Sequence, residues 1–260
     1  MSLPALANTV VLGIIEGITE FLPISSTGHL LIAEHWLGER SELFNVAIQA
    51  GAILAITLIY WRRLLGLLRL GDAASRDYLA KLTLAFAISM VGMFAITRMG
   101  WKLEDAVRPI AIALITGGVA ILIIEWVVGR RPVRSEVTWN VAVWVGIAQI
   151  IAGTLPGTSR SAAAIFAAML AGLTARPAAT EFAFIVGIPT MFAATAYELM
   201  KNRLAAGGED WGALGLGFVV AGVVAFLSVV WLLRYIQTHR FTVFAWYRIA
   251  LGLALLTLLR

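Results

Sequence analysis

Strongly apolar runs without Asp, Glu, Lys or Arg recur along this chain, at 44–61, 137–159 and 211–233. A helix needs about 20 mostly apolar residues to cross a hydrocarbon core. The pattern therefore predicts membrane helices rather than amphipathic helices on a soluble core. It shows no train of alternating strands of about 10 residues, as a membrane β-barrel would. Basic clusters punctuate the runs. Arg62, Arg63, Arg69 and Arg76 follow the first, Arg130, Arg131 and Arg134 follow the stretch 109–128, and Arg234, His239 and Arg240 follow 211–233. Cytoplasmic loops carry the excess of Lys and Arg, which puts these three loops inside. The 98–108 and 201–210 loops balance Arg98, Lys102, Arg108, Lys201 and Arg203 against Glu104, Asp105, Glu209 and Asp210, which suits the outer side. Six full spans follow, near 44–61, 79–97, 109–128, 180–199, 211–233 and 242–259.

Two regions remain, 3–37 and 139–175. Each is an apolar run, a polar turn with a proline, and a second apolar piece too short to cross, His29–Leu37 and Ser161–Leu173. Each is expected to be a re-entrant hairpin, since broken backbone at membrane depth is tolerated inside protein or beside a watery cavity. At a spacing of 133, Gly13 falls on Gly146, Leu22 on Leu155, Pro23 on Pro156 and Ser26 on Ser159. Glu16 then falls on Gln149 and Ser25 on Thr158. The loop charges send the first hairpin in from outside and the second from the cytoplasm, so their tips should meet near the midplane, as in inverted-topology repeats. The expected fold is an all-α polytopic membrane protein with six transmembrane helices and two re-entrant helical hairpins. It forms one integral membrane domain over 1–260, with repeat halves at about 1–128 and 139–260.

Composition sharpens this picture. Only 13% of residues are charged, against about 25% in soluble proteins. The net charge of +5 is arginine-rich and reads as topology and affinity for anionic lipid rather than for nucleic acid. With no cysteine, disulfides, thiolate metal sites and a cysteine nucleophile are excluded. Met1–Asn8 lacks a basic n-region, so a cleaved signal peptide is not expected.

Against this background the polar residues of the two turns stand out, because a charge at the bilayer centre costs about 2.5–3.5 kcal/mol. Glu16 and Glu20 are one helical turn apart and share a face. Such a pair suits Mg²⁺ or Ca²⁺ held jointly with a phosphate; the bland alternative is a solvated helix end. Ser25, Ser26 and Thr27 can cap a helix whose free N–H groups attract an anion, although capping alone would explain them. Thr158, Ser159 and Ser161 repeat that design and add Arg160, whose guanidinium forks onto phosphate oxygens unless it merely snorkels. His29 can serve as acid, base or nucleophile. Gln49 is polar within a span and can hydrogen-bond either the site or a neighbouring helix. Glu125 and Glu198 sit near span ends and read as interfacial, and Glu181 as a helix-start residue.

The stretch Glu16-Gly-Ile-Thr-Glu-Phe-Leu-Pro-Ile-Ser-Ser-Thr-Gly-His29, with Pro156-Gly-Thr-Ser-Arg-Ser161, closely resembles the bacterial undecaprenyl-pyrophosphate phosphatase family, also called bacitracin-resistance proteins. The likeness covers essentially the whole chain, including Ile48-Gln-Ala-Gly51 and Trp246-Tyr-Arg248. It implies a multi-pass enzyme of the bacterial inner membrane with its site open to the periplasm. The enzyme would remove the terminal phosphate of undecaprenyl pyrophosphate and so recycle the carrier lipid for cell-wall synthesis. It implies a divalent metal at Glu16 and Glu20, catalysis by Ser26 and His29 with Glu20, and phosphate binding by Thr27, Ser159, Arg160 and Ser161. One departure is local: the family usually has Gly and then Thr after Ser-Arg-Ser, where this chain has Ala162-Ala163-Ala164.

The residues are consistent with metal-assisted attack on the terminal phosphorus by Ser26, with a carboxylate or His29 taking the proton, or by His29 itself. The rival is a transporter that binds a lipid phosphate with the same residues, since inverted repeats with broken helices are common there. Membrane lipid is the further partner expected, and a homodimer is left open.

Overall fold

The computed structural model describes residues 3–69, 71–100, 106–202 and 210–258. Among them ten helices follow one another: α1 Leu3–Thr19, α2 Ser26–Leu37, α3 Glu42–Leu67, α4 Ala73–Arg98, α5 Val107–Val128, α6 Trp139–Thr154, α7 Arg160–Leu170, α8 Arg176–Asn202, α9 Trp211–Tyr235 and α10 Thr242–Leu258. Side-chain caps begin several of them. Ser41 Oγ accepts from Phe44 N, Thr138 Oγ1 from Val141 N, and the Asp72 and Asp210 carboxylates from Ser75 N and Ala213 N. Each satisfies one donor that a helix start leaves free.

Five helices, α3, α4, α5, α8 and α9, are long and apolar enough to cross a membrane. They coincide with five of the six predicted spans. The sixth, α10, has 17 described residues, about 26 Å of helix, so its length alone does not carry it across a core of about 30 Å. The 3–37 and 139–175 regions form the helix–turn–helix pairs α1–α2 and α6–α7, each built of short helices. Residues 101–105 and 203–209, which carry most of the charges expected on the outer side, lie outside the described residues.

The two halves interlock. Helix α1 packs on α9 and α6 on α4, while α3 meets α8 and α5 meets α10. The first helix of each half thus lies on the fourth of the other. Glycines permit these approaches, as small residues do between membrane helices. A Cβ at Gly17 would stand 2.7 Å from Ala221 O on α9, and one at Gly146 would stand 2.9 Å from Ala85 O on α4.

Two sequence expectations are corrected here. Glu125 lies near the end of α5 as expected but is buried there rather than exposed: it accepts from Arg176 Nε at 2.9 Å and from Phe241 N at 2.9 Å, joining the ends of α5, α8 and α10. Glu181 is not at a helix start. It lies inside α8 and pairs with Arg63 Nε at 3.0 Å.

Candidate active site

The turns of the two helix pairs share one backbone device. Ser25 (φ 74°) and Ser159 (φ 69°) are the two positive-φ residues other than glycine among the described residues. Such a conformation costs of the order of 1–3 kcal/mol and persists where surrounding structure enforces it. Both are N-caps: Ser25 Oγ accepts from Gly28 N at 3.4 Å and Ser159 Oγ from Ala162 N at 3.3 Å. This changes the expected pairing of the repeats. The caps pair Ser25 with Ser159 and hence Ser26 with Arg160, a spacing of 134. The second turn holds one extra residue between proline and cap, with Gly157 at φ 81°.

The turns are fastened to each other. Ser161 Oγ donates to Leu22 O at 3.1 Å and contacts Ser159 Oγ at 3.0 Å. Arg160 Nη2 pairs with Glu20 Oε1 at 3.0 Å. Beneath both lies Arg248 of α10, fully buried. Its Nη1 donates to Pro23 O (3.3 Å) and Thr158 O (3.2 Å), and its Nη2 to Gly157 O (3.1 Å) and Ala113 O (3.1 Å). The guanidinium therefore holds backbone from both turns and from α5. A Cβ at Gly117 would come within 2.3 Å of it, so only glycine leaves that space. The sequence reading gave Arg248 no role; the signal was a charge at the middle of an apolar helix.

Glu20 is the hinge of the site. Helix α1 ends at Thr19, and Glu20 N closes its last turn on Glu16 O at 3.0 Å. Its carboxylate is buried, with Oε1 on Arg160 and Oε2 accepting a hydrogen bond from Ser26 Oγ. Ser26, first residue of α2, thus has its hydroxyl directed at a carboxylate. Glu16, also buried, faces the adjoining cavity, which Ser26 also lines. Its Oε2 has no hydrogen-bond partner, and the cavity, of about 260 Å³, is lined as well by Thr27, Glu34, Asn45 and Gln49. An orphaned carboxylate oxygen is costly unless a ligand completes it. Oxygen donors of this kind fit a hard divalent cation that keeps several water or phosphate ligands. Among the described residues no group of three or more His, Asp or Glu converges as a metal cluster, so protein atoms would supply only part of such a shell.

His29 faces away from that cavity. Its Nδ1 lies 2.7 Å from Ser25 O and its Nε2 lies 2.7 Å from the Tyr247 hydroxyl. A carbonyl only accepts, so Nδ1 carries the proton, and in the neutral imidazole Nε2 then accepts from the phenol. Neither nitrogen touches Ser26. Of the expected site residues, the structure brings Glu20, Ser26, Arg160 and Ser161 together. Glu16, Thr27 and Gln49 lie along the adjoining cavity. Ser25, Thr158 and Ser159 build the turns, through cap or carbonyl. Ala162 and Ala164 are buried, and Ala162 N serves the Ser159 cap. Tyr247, Asn45 and Glu34 were not anticipated.

The site has a counterpart in the second half. Gln149, Arg160, Ser161, Ala164, Ala183, Phe184 and Gly187 enclose about 20 Å³ together with Glu20. Ser26, Thr27 and Leu30 of the first cavity map onto Arg160, Ser161 and Ala164 at a spacing of 134. Asn45, Val46 and Gln49 map onto Ala183, Phe184 and Gly187 at a spacing of 138.

Comparison with known proteins bears on this geometry. The family described as Bacitracin resistance protein BacA matches residues 9–254. A protein of Rhizobium johnstonii named undecaprenyl-diphosphatase is 60% identical over 253 residues, covering 96% of this chain and 95% of that one. One of the same name from Rhizobium etli is 58% identical, covering 96% and 95%. Another, from Xanthomonas oryzae pv. oryzae, is 53% identical over 254 residues, covering 96% of each.

Proposed function

This chain belongs to the BacA bacitracin resistance family, and from that membership we propose that it is an undecaprenyl-diphosphatase in which Ser26 is the nucleophile and Glu20 its base. The observation that carries the assignment of roles is the chain Ser26–Glu20–Arg160, which ties the two turns together beside the polar cavity. Ser26 Oγ attacks the terminal phosphorus of the lipid pyrophosphate as its proton passes to Glu20. The bond to the bridging oxygen breaks, and the lipid leaves as its monophosphate. Water then cleaves the phosphoserine: Glu20 returns its proton to the Ser26 oxygen, and both protons of the water leave with inorganic phosphate.

Charge is handled by fixed donors, usually the largest contribution to such transfers. The free N–H groups at the starts of α2 and α7 face the phosphates from two sides. Arg160 orients Glu20 in this state and offers its remaining donors to a phosphate oxygen. Glu16, with Glu20, would hold Mg²⁺ or Ca²⁺, and such an ion neutralises phosphate oxygens when bound.

The α1–α2 and α6–α7 pairs are re-entrant hairpins of an inverted repeat in the inner membrane, and the site opens to the periplasm. The exchange of α1 onto α9 and of α6 onto α4, together with the matched caps at Ser25 and Ser159, supports this reading. The decisive test is release of inorganic phosphate from undecaprenyl pyrophosphate by purified protein in detergent. Turnover there supports the phosphatase, and a protein that binds the lipid but releases no phosphate would be the transporter.

A further inference from the structure

The oxygen nearest in sequence to Ser26 that a side chain restrains is the carbonyl of Ser25. Ser25 sits at φ 74° and ψ 100°, immediately before Ser26. Its carbonyl accepts from His29 Nδ1 at 2.7 Å, and the other nitrogen of that ring is held by Tyr247 OH at 2.7 Å. The two rings lie parallel to within 4°. Tyr247 belongs to α10, next to Arg248, which grips Pro23 O of the same turn. Helix α10 thus reaches the first turn by two adjacent side chains, one through a carbonyl and one through an imidazole.

The second turn shows what this arrangement is for. Ser159 has the same strained backbone and the same cap. The residue in the place of His29 is Ala163, whose backbone N–H donates to Ser159 O at 3.0 Å, so the helix itself holds that carbonyl and no imidazole is involved. Strain and capping therefore do not require a side-chain brace. It is found on the turn that carries Ser26 and Glu20.

We propose that His29 acts on Ser26 through the backbone, as a brace on the Ser25 carbonyl, and that Tyr247 is a further positioning residue that locks the brace in its Nδ1–H tautomer. The peptide joining residues 25 and 26 is planar, so fixing its oxygen fixes the nitrogen of Ser26 and the direction in which Oγ meets Glu20. Misplacement of a nucleophile by about 1 Å can cost of the order of 10²-fold in rate. In this arrangement His29 neither transfers the Ser26 proton nor attacks phosphorus. The inference rests on the phosphatase reading for its kinetic consequences but not for its structural ones.

The test is a substitution series on the purified protein, read by steady-state kinetics and by ¹⁵N spectra of histidine-labelled protein. Asparagine places an amide N–H where Nδ1 stands but has no imidazole chemistry. His29→Asn should keep turnover within about tenfold of wild type, and His29→Ala should lose about 10²-fold. Tyr247→Phe should lower kcat several-fold with KM unchanged and should shift the Nε2 resonance of His29. In the His29→Asn background the same Tyr247→Phe change should add nothing, because no acceptor remains for the phenol. His29→Asn as inactive as His29→Ala would overturn the proposal, since the ring itself would then be required. Tyr247→Phe with wild-type kcat and an unmoved Nε2 resonance would remove Tyr247. A wild-type protein without phosphatase activity would sink the functional reading instead, and the Nε2 resonance would still report whether the brace exists.

Discussion

The two helix pairs are built alike and equipped differently. Each has a short helix, a proline turn, a serine cap at positive φ and a second short helix, and each borders a cavity at equivalent positions. In the first half that cavity is about 260 Å³ and polar, with Glu16, Asn45, Val46 and Gln49 on its walls. In the second it is about 20 Å³, with Gln149, Ala183, Phe184 and Gly187 in those places. Phe184 fills the space where Val46 leaves it open, and it packs edge-on against Phe21 at 5.3 Å. In the proposed mechanism the first turn contributes nucleophile and base, while the second contributes a cation and fasteners. On that reading one helix pair carries the chemistry, and the other, with its cavity filled in, holds it in place.

That comparison breaks most visibly at the paired positions Ser26 and Arg160. Ser26→Ala should lower kcat by of the order of 10⁴-fold or more, as loss of a nucleophile does. Arg160→Lys keeps the charge but loses the fork. It should cost about 2.7–4 kcal/mol of transition-state stabilisation, measured as kcat/KM for phosphate release. Ser26→Ala with near-wild-type turnover would abolish the asymmetry between the turns.

The cavities can be exchanged in part. Val46→Phe gives the first cavity the residue of the second and should raise KM sharply with little loss of thermal stability. Phe184→Ala empties the second and should instead cost about 3–5 kcal/mol of stability, seen by thermal unfolding in detergent. Equal effects of the two changes on KM would mean that both cavities admit substrate. The smallest expected effect is at the second cap. Ser159→Ala should cost about 1 kcal/mol of stability, and a fall in turnover as large as that of Ser26→Ala would place Ser159 in the chemistry.

Much of this was legible in the chain. The apolar spans read at 44–61, 79–97, 109–128, 180–199 and 211–233 coincide with five long helices, because span length and apolarity are local properties. The prolines at 23 and 156 marked both turns. The register between the turns was misjudged by one residue, since Pro156 matched Pro23 while Gly157 absorbed an insertion that only backbone geometry reveals. Glu20 beside Ser26 was within reach, both being in one motif. What Glu20 meets on its other side is 140 residues away, and periodicity says nothing of such pairs. Glu125 with Arg176 failed for the same reason. Arg248 could have been flagged as a charge in mid-span, but its partners are carbonyls, which leave no mark in a sequence. His29 looked catalytic by its company, and only the structure shows it turned toward Tyr247.

The central claim is that Ser26 takes the phosphoryl group. The most direct measurement is acid quench of early turnover on undecaprenyl pyrophosphate labelled in its terminal phosphate, followed by mapping of the label. Acid-stable label on Ser26, absent from Ser26→Ala, is the predicted result. Acid-labile label on His29 in the wild-type protein would contradict it.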